Sequence, residues 1–439
     1  MIYKIFTTLL SSKPTRRCLL ALKRSRKICK LVPMLNEWYE KTYIFQCPET
    51  NLIGHSCIQN FDNVIRRVNM KKALVVTDTV LIQLKTTDNV TEQLTKADVS
   101  YNIFDGVLPN PTIAIVNKIM EAYKTNDCDG LISIGGGSAH DAAKAAALLL
   151  SNRKPIRKYQ GLNVTKHKLL MPLICVNTTA GTGSEVTNVA VITDETTHFK
   201  MTLVDKNMLA NITVNDSNLM LGLPHKATVY TGIDALTHAI EADLSLVNND
   251  LVQAYSHQAM RTIFQTLPKV YADLQNAECR EQMVYGEYLA GIAFNSASLG
   301  FIHSLSHAMS AVFNTPHGLA NAILMPYVLD YELTNTNVVK KLAKIADYLG
   351  LNCGDALNDH EKAKSCVLSI VAWTKSLGIE LNLNAIQPNI TQDQVNNMAK
   401  KAMKDFCGIS NPIQFNKRQL IHIYNNAIIG NFDHITVKG

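Results

Sequence analysis

Asp234 and His238 lie four residues apart in the run GIDALTHAIEA, a spacing that puts both on one face of a helix. Ile233, Leu236 and Ile240 form an apolar stripe on that helix, and Asp234, His238 and Glu241 form its other face. His303 and His307 repeat the spacing in GFIHSLSHAMSAVFNTPHG, with Ile302, Leu305, Met309 and Val312 as the apolar positions. His317 follows Thr315-Pro316, where the proline should end or re-aim the helix. One carboxylate and several imidazoles suit a divalent first-row metal such as Fe or Zn. An isolated Asp/His pair is ordinarily a solvated helix face. Two such pairs plus a Pro-His, each set in apolar sequence, imply buried groups that need partners, and a shared metal would satisfy them together. Spacing alone does not choose between His307 and His317 as a ligand.

The preceding half of the chain has to supply a different chemistry. Buried strands are predicted at 73–76, 101–104, 131–134 and 172–176, with a further strand-like stretch at 43–47. Helical patterns alternate with them at 57–68, 80–96 and from Pro111-Thr112 to Tyr123, which implies a parallel α/β sheet. Gly135-Gly136-Gly137-Ser138 stands between a strand and the strongly helical AHDAAKAAALLL. There the backbone can approach a phosphate closely and a helix N-terminus offers free N–H groups. Thr178–Ser184 occupies the same topological place after the next strand, at the sheet end where open α/β folds bind ligands. Asp78 ends a strand, as an acid does that bonds ribose hydroxyls and repels a 2′-phosphate, favouring NAD over NADP. After Pro224 the pattern is almost wholly helical, punctuated at Pro268, Pro316, Pro326, Gly350, Gly378, Pro388 and Pro412. The expected organisation is a leader over 1–35, an NAD-binding α/β domain over 36–223 and a helical metal-binding domain over 224–439.

The formal charge of +7 comes from the first 30 residues, which hold nine Lys and Arg and precede the first acid, Glu37. The remaining 34 basic residues face 36 acidic ones, so the body has no electrostatic footprint for nucleic acid. The leader is basic and acid-free, with Ile2, Ile5, Phe6, Leu9 and Leu10 on one stripe before Pro14. That is the composition of a mitochondrial-type transit peptide, so a mitochondrion or related organelle is the expected location, with the cytoplasm as the alternative. No apolar run approaches the roughly 20 residues of a membrane span. The ten cysteines are scattered without a C-x-x-C, which argues against a zinc ribbon or a dithiol site.

Several separate stretches then point one way. GGGSAHDAAK, TTAGTGSEVT, TGIDALTHAIEA, GIAFNSASLGFIHSLSHAMSAVFNTPHGLANAILMP and the late SNP resemble the iron-containing (group III) alcohol dehydrogenases, from about residue 40 onward. The likeness is greatest to the branch of NAD-linked methanol and 1,3-propanediol dehydrogenases, with lactaldehyde reductases next. It implies a Rossmann-like α/β domain followed by an all-α metal-binding domain, with a cleft between them. It implies Fe(II), with Zn acceptable to the donors, on Asp234, His238, His303 and His317. His307 is left beside the substrate as a proton relay. NAD contacts carry over to Asp78, Asn110, Gly136, Gly137, Ser138, Asp141, Thr178, Thr179, Thr182 and Lys200, and Cys407 lines the nicotinamide end. The implied activity interconverts a small primary alcohol or diol with its aldehyde, in a homo-oligomer. Ala139, Ser217, Asn218 and Ile413 depart from the family pattern without touching a metal ligand. The alternatives are a hydroxyacid–oxoacid transhydrogenase, a dehydroquinate-synthase-like lyase, which has Glu where this chain has Asp234, and a filament component.

Overall fold

A strand that is apolar on both faces must be covered on both sides, and the strands around Leu74, Leu131 and Leu173 are of this kind. The computed structural model describes residues 44–165, 167–197, 199–351 and 357–435. The basic leader lies outside them. Strands β1 (Thr50–Ile53), β2 (Lys72–Val76), β3 (Ser100–Phe104), β4 (Gly130–Gly135), β6 (Leu173–Asn177) and β9 (Ile212–Asn215) form a parallel sheet in the order β1-β9-β6-β4-β2-β3. A second sheet, β5-β8-β7, comprises β5 (Gly161–Leu162), β7 (Val189–Asp194) and β8 (Phe199–Val204). Helices α1 (Phe61–Ile65), α2 (Thr79–Gln83), α3 (Asp88–Lys96), α4 (Ile113–Thr125) and α5 (Gly137–Ser151) complete this half.

Alternate residues of each strand go to opposite faces. Ala73, Val75, Ile132, Ile134, Ile174 and Val176 pack with Phe61 and Ile65 of α1 and Val90 and Leu94 of α3. Leu74, Val76, Leu131, Leu173 and Cys175 pack on the other side, under α4 and α5. The register pairs Gly135 with Asn177. The glycine turn after β4 and the Thr/Gly loop after β6 therefore leave the sheet side by side, with Asp78 beyond the next strand.

All ten described α-helices after Pro224 belong to the second half: α6 (His225–Leu244), α7 (Asp250–Ala272), α8 (Ala277–Ala297), α9 (Phe301–Phe313), α10 (His317–Glu332), α11 (Thr336–Tyr348), α12 (Asp359–Ser376), α13 (Leu383–Ile386), α14 (Gln392–Ala402) and α15 (Lys417–Ile429). One apolar core joins them, with Ile233, Leu236 and Ile240 of α6 near its centre. No described helix is long and apolar enough to cross a membrane.

The sequence expectations need four corrections. The stretch 44–48 is irregular and the strand is Thr50–Ile53, because Phe45 leaves the sheet and stacks on Tyr255 at 5.8 Å; Tyr43 lies outside the described residues. The helix expected over 80–96 is two helices, parted where Lys85 takes a positive φ of 56°. Pro268 and Pro326 sit inside α7 and α10 without ending them, whereas Pro316 caps α10. Strands β7, β8 and β9 carried no prediction, although the burial of Val189–Asp194 alternates strictly.

Candidate metal centre and cofactor cleft

Helix α6 is buried on both of its faces. Asp234, His238 and Glu241 are 3%, 4% and 3% exposed, which excludes a solvated helix face. His303 from α9 is 1% exposed. His317 opens α10 with its side chain a quarter exposed. Asp234 Oδ1 is 3.7 Å from His238 Nε2, 3.6 Å from His303 Nε2 and 3.4 Å from His317 Nε2. Four potential ligands from three helices thus converge on one point.

Close helix approach makes this convergence geometrically feasible. A Cβ on Gly318 would lie 2.0 Å from the Tyr230 carbonyl oxygen, so only glycine lets α10 come this near α6. Glu241 fixes the third helix. Its Oε1 accepts from the Ile302 amide at 2.7 Å, at the N-terminus of α9 where backbone donors are otherwise unpaired, and its Oε2 accepts from His303 Nδ1 at 2.5 Å. A metal-ligating histidine is commonly oriented by such a carboxylate on its far nitrogen.

Electrostatics sort these groups. Burial alone would lower His303, but Glu241 and Asp234 overcome it and raise the imidazole to about 9. Desolvation lowers His238 to about 4 and holds His317 well below its ordinary value. Burial would raise Asp234, yet the surrounding imidazoles hold it below the usual carboxylate range.

The donor set fits a cation. Asn321 Nδ2 stands among the ligands, 2.6 Å from Asp234 Oδ1 and 3.2 Å from each of His303 Nε2 and His317 Nε2. Its two hydrogens face Asp234 Oδ1 and the lone pair of His317 Nε2, whereas His303, protonated at pH 7 in the metal-free protein, presents an N–H of its own. Asn321 Oδ1, His238 Nδ1 and His317 Nδ1 are buried without a partner. A divalent ion among Asp234 Oδ1 and the three Nε2 atoms would answer the buried charge of Asp234 and take the lone pairs of neutral His238 and His317, displacing the proton from His303.

The cleft beside the cluster is made by the sheet edge. Helix α5 has no side-chain cap, and the Ala139 and His140 amides bond the Gly136 carbonyl, leaving the Gly137 and Ser138 amides free to face a ligand. Cβ atoms on Gly136 and Gly137 would lie 2.8 Å from Thr179 and Thr182 side-chain atoms, so the two loops also pack on each other. Thr178 is anchored through its amide to the Gly135 carbonyl at 3.0 Å. Beneath them the buried Lys144 ammonium binds the carbonyls of Ser184 (2.6 Å), Thr187 (3.2 Å) and Val189. Across the cleft, Asn110, Thr193, Lys200, Ser310, Phe313 and Asn314 line a cavity of about 540 Å³. Burial lowers Lys200 to about 8, against the pull of Asp141, Asp405 and Asp234.

Two family models match this chain: residues 48–217 match the iron-containing alcohol dehydrogenase model, and residues 228–428 match the C-terminal model of the Fe-containing alcohol dehydrogenase family. The chain belongs to the iron-containing alcohol dehydrogenase family. It is 36% identical over 384 residues to alcohol dehydrogenase 4 of Schizosaccharomyces pombe, covering 88% of this chain and 89% of that one. It is 34% identical to the NAD-dependent methanol dehydrogenase of Bacillus methanolicus, over 88% and 99% of the two chains. A solved 1,3-propanediol oxidoreductase superposes with a TM-score of 0.85 at 34% identity, covering 88% of this chain and all of that one.

In this iron-containing alcohol dehydrogenase the predicted residues gather at the ligand cluster, which His307 adjoins, and along the cleft. Asp234, His238, His303 and His317 meet at one point. Gly136, Gly137, Ser138, Thr178, Thr179 and Thr182 line two adjoining loops, with Asn110 and Lys200 across the cleft. Asp78 caps α2, its Oδ1 accepting from the Leu81 amide at 2.9 Å. Asp141 uses both oxygens on the protein, accepting from Ser184 Oγ at 2.6 Å and the Val191 amide at 2.9 Å, which makes it an anchor of the second loop. Cys407 is buried beside Phe294 and Leu299, and Phe294 in turn stacks on His238 at 4.4 Å. Ser217 and Asn218 turn towards His55 and Ser56. Sequence reasoning assigned no role to Asn321, Glu241 or Asp405. Asn321 is four residues after His317 and Glu241 three after His238, so helical spacing carried a signal for both. Asp405 had none.

Proposed function

We propose that this chain interconverts a small primary alcohol or diol with its aldehyde, using NAD(H) and a divalent metal held by Asp234, His238, His303 and His317. The single observation that carries the reading is the meeting of Asp234 Oδ1 with three imidazole Nε2 atoms in a buried cluster. Fe(II) is the proposed ion, on the ground of family membership; the donors alone would accept Zn.

A divalent metal there supplies Lewis acidity, lowering the pKa of an alcohol hydroxyl, and NAD supplies the hydride acceptor. The chain's own residues do the rest. Asp234 gives the site a fixed negative charge, and neutral His238 and His317 present lone pairs rather than protons. The Gly137 and Ser138 amides and the α5 dipole suit a pyrophosphate. The free oxygen of Asp78 suits ribose hydroxyls and disfavours a 2′-phosphate. Lys200 adds a positive charge on the cleft wall. His307 is the proposed relay for the hydroxyl proton.

The test is an anaerobic assay of NADH formation with a panel of C2–C4 alcohols and diols, with metal content read on the same sample. Activity lost on chelation and restored by Fe(II) is expected. His317→Ala should lose both metal and turnover while keeping its circular dichroism; unchanged metal content overturns the assignment. The basic leader supports import into a mitochondrion or related organelle, which a fluorescent fusion of residues 1–35 would report; a diffuse cytosolic signal counts against it.

A further inference from the structure

We propose that Asp405 is a positioning residue for His307: it holds the ring with the proton on Nδ1, so that Nε2 is the bare nitrogen offered to the substrate's hydroxyl. The inference rests on the alcohol dehydrogenase reading above and assigns a role to a residue outside the ligand set.

His307 belongs to the ligand neighbourhood without joining it. Its ring stacks on His317 at 4.9 Å and meets His303 edge-on at 6.0 Å, yet no bond ties it to Asp234. Among the described residues its hydrogen bond is from Nδ1 to Asp405 Oδ2, at 2.9 Å. The acceptor comes from 98 positions away, in the segment between α14 and the turn Cys407–Ser410.

The other side of the Asp405 carboxylate explains why this bond selects a tautomer. Oδ1 accepts from the Cys407 amide at 2.9 Å and from Ser304 Oγ at 3.4 Å. A backbone N–H is only ever a donor, so it fixes which way the carboxylate points. An ionised carboxylate only accepts, so Oδ2 can take nothing from the imidazole but Nδ1–H. The carboxylate's side chain is 6% exposed, which keeps water from competing for that bond. A neutral imidazole protonated on Nδ1 has its lone pair on Nε2, and Nε2 of His307 has no protein partner among the described residues. Ser304 lies on the same helix as His307, one turn back, so α9 carries both the ring and part of the brace that orients it.

A purely structural clip, fastening the C-terminal segment to α9, would use the same contacts. A double-mutant cycle separates the two. In the metal-loaded full chain, Asp405→Asn lets the amide donate to the ring and so favours the wrong tautomer. We expect kcat to fall roughly tenfold or more, a part or all of the ~10²–10⁴ that general acid–base assistance supplies. The KM for NAD and for the alcohol, and the bound metal, should stay within about twofold. Because Asp405 acts only through His307, the double variant His307→Ala/Asp405→Asn should be no slower than His307→Ala. Multiplicative losses, or a rise in KM with kcat intact, overturn the proposal, as does a His307→Ala variant with wild-type turnover.

If Asp405→Asn does not fold, 15N spectra of imidazole-labelled, zinc-loaded protein decide the matter, with His307 assigned by its absence from the His307→Gln variant. Protonated Nδ1 and bare Nε2 support the proposal; the opposite tautomer refutes it. Wild-type turnover measured alongside tests the underlying activity separately, and the 15N result stands without it.

Discussion

Replacing Glu241 by glutamine should change how the metal site responds to pH far more than how tightly it binds at neutrality. In the metal-free protein Glu241 and Asp234 raise His303 to about 9 despite its burial. At pH 7 the site therefore holds a proton where the ion must bind. Displacing it costs about 2.7 kcal/mol, a hundredfold in apparent affinity, at about 1.36 kcal/mol per unit. Sign follows directly: a raised histidine keeps its proton below pH 9, so metal affinity should climb about tenfold per pH unit from 7 to 9. Glutamine still accepts from the Ile302 amide but lacks the charge, and burial then dominates His303. The charge that holds the second proton is gone, and with it the pH dependence above 7, but the amide now donates to His303 Nδ1 and leaves the neutral ring's proton on Nε2, which adds to the weakening of the ligand. The lost carboxylate also weakens the ligand, typically by about ten- to a hundredfold. The two effects nearly cancel at pH 7, whereas at pH 9 the variant should bind about ten- to a hundredfold more weakly. Competition with a fluorescent chelator, using Zn(II) as the probe, measures both slopes. A variant whose affinity still climbs tenfold per unit would refute the argument, because Glu241 would not then be what holds the proton.

Two further outcomes are expected. Gly318→Ala puts a methyl 2.0 Å from a backbone carbonyl, and overpacking of this kind costs about 1–3 kcal/mol or more; melting temperature and metal stoichiometry should fall together, and loss of one without the other would separate packing from ligand placement. Burial raises the neighbouring carboxyls of Glu185 and Glu287 together, so the folded state keeps protons that the unfolded chain gives up, and stability should decline as pH rises above the ordinary carboxylate range. Glu185→Gln should reduce the slope of melting temperature against pH above that range, and an unaltered pH profile would show that this carboxyl does not contribute to it.

The fold was largely legible because its strands are buried on both faces and read as short apolar runs. Leu131–Ile134 and its neighbours announce themselves without any partner being known. Strands β7 and β8 escaped because they follow a loop rich in threonine and glycine, and their antiparallel pairing is local and half-buried. The stretch 43–47 misled for the converse reason: in its described part Phe45 stacks on Tyr255 of α7 instead of entering the sheet, and Ile44 is exposed. At the site, i, i+4 spacing gave Asp234, His238, His303 and His307 their faces, but it could not rank His307 against His317. In the structure Asp234 lies within 3.4 Å of His317 Nε2, while His307 turns to Asp405. That distinction depends on a residue about a hundred positions downstream, and no local pattern encodes it. Asp141 adds a part that the family resemblance did not imply: beside the cofactor contact carried over to it, its oxygens accept from Ser184 Oγ and the Val191 amide and so tie the second loop to the sheet.

The C-terminal segment has a consequence for how the protein is made. Asn411 accepts from the Phe301 amide at 2.9 Å and donates to Glu332 at 2.7 Å, while Tyr424 donates to the Leu305 carbonyl at 2.7 Å. With Asp405 on His307, these contacts brace the helix that presents His303. All four proposed ligands leave the ribosome before any of these braces exists. Nascent α9 has Glu241 at its N-terminus and α10 beside it, and the remaining braces arrive only when the residues around 405–424 have been synthesised and have folded back across α9. Metal capture at the proposed site is therefore expected to follow translation instead of guiding it.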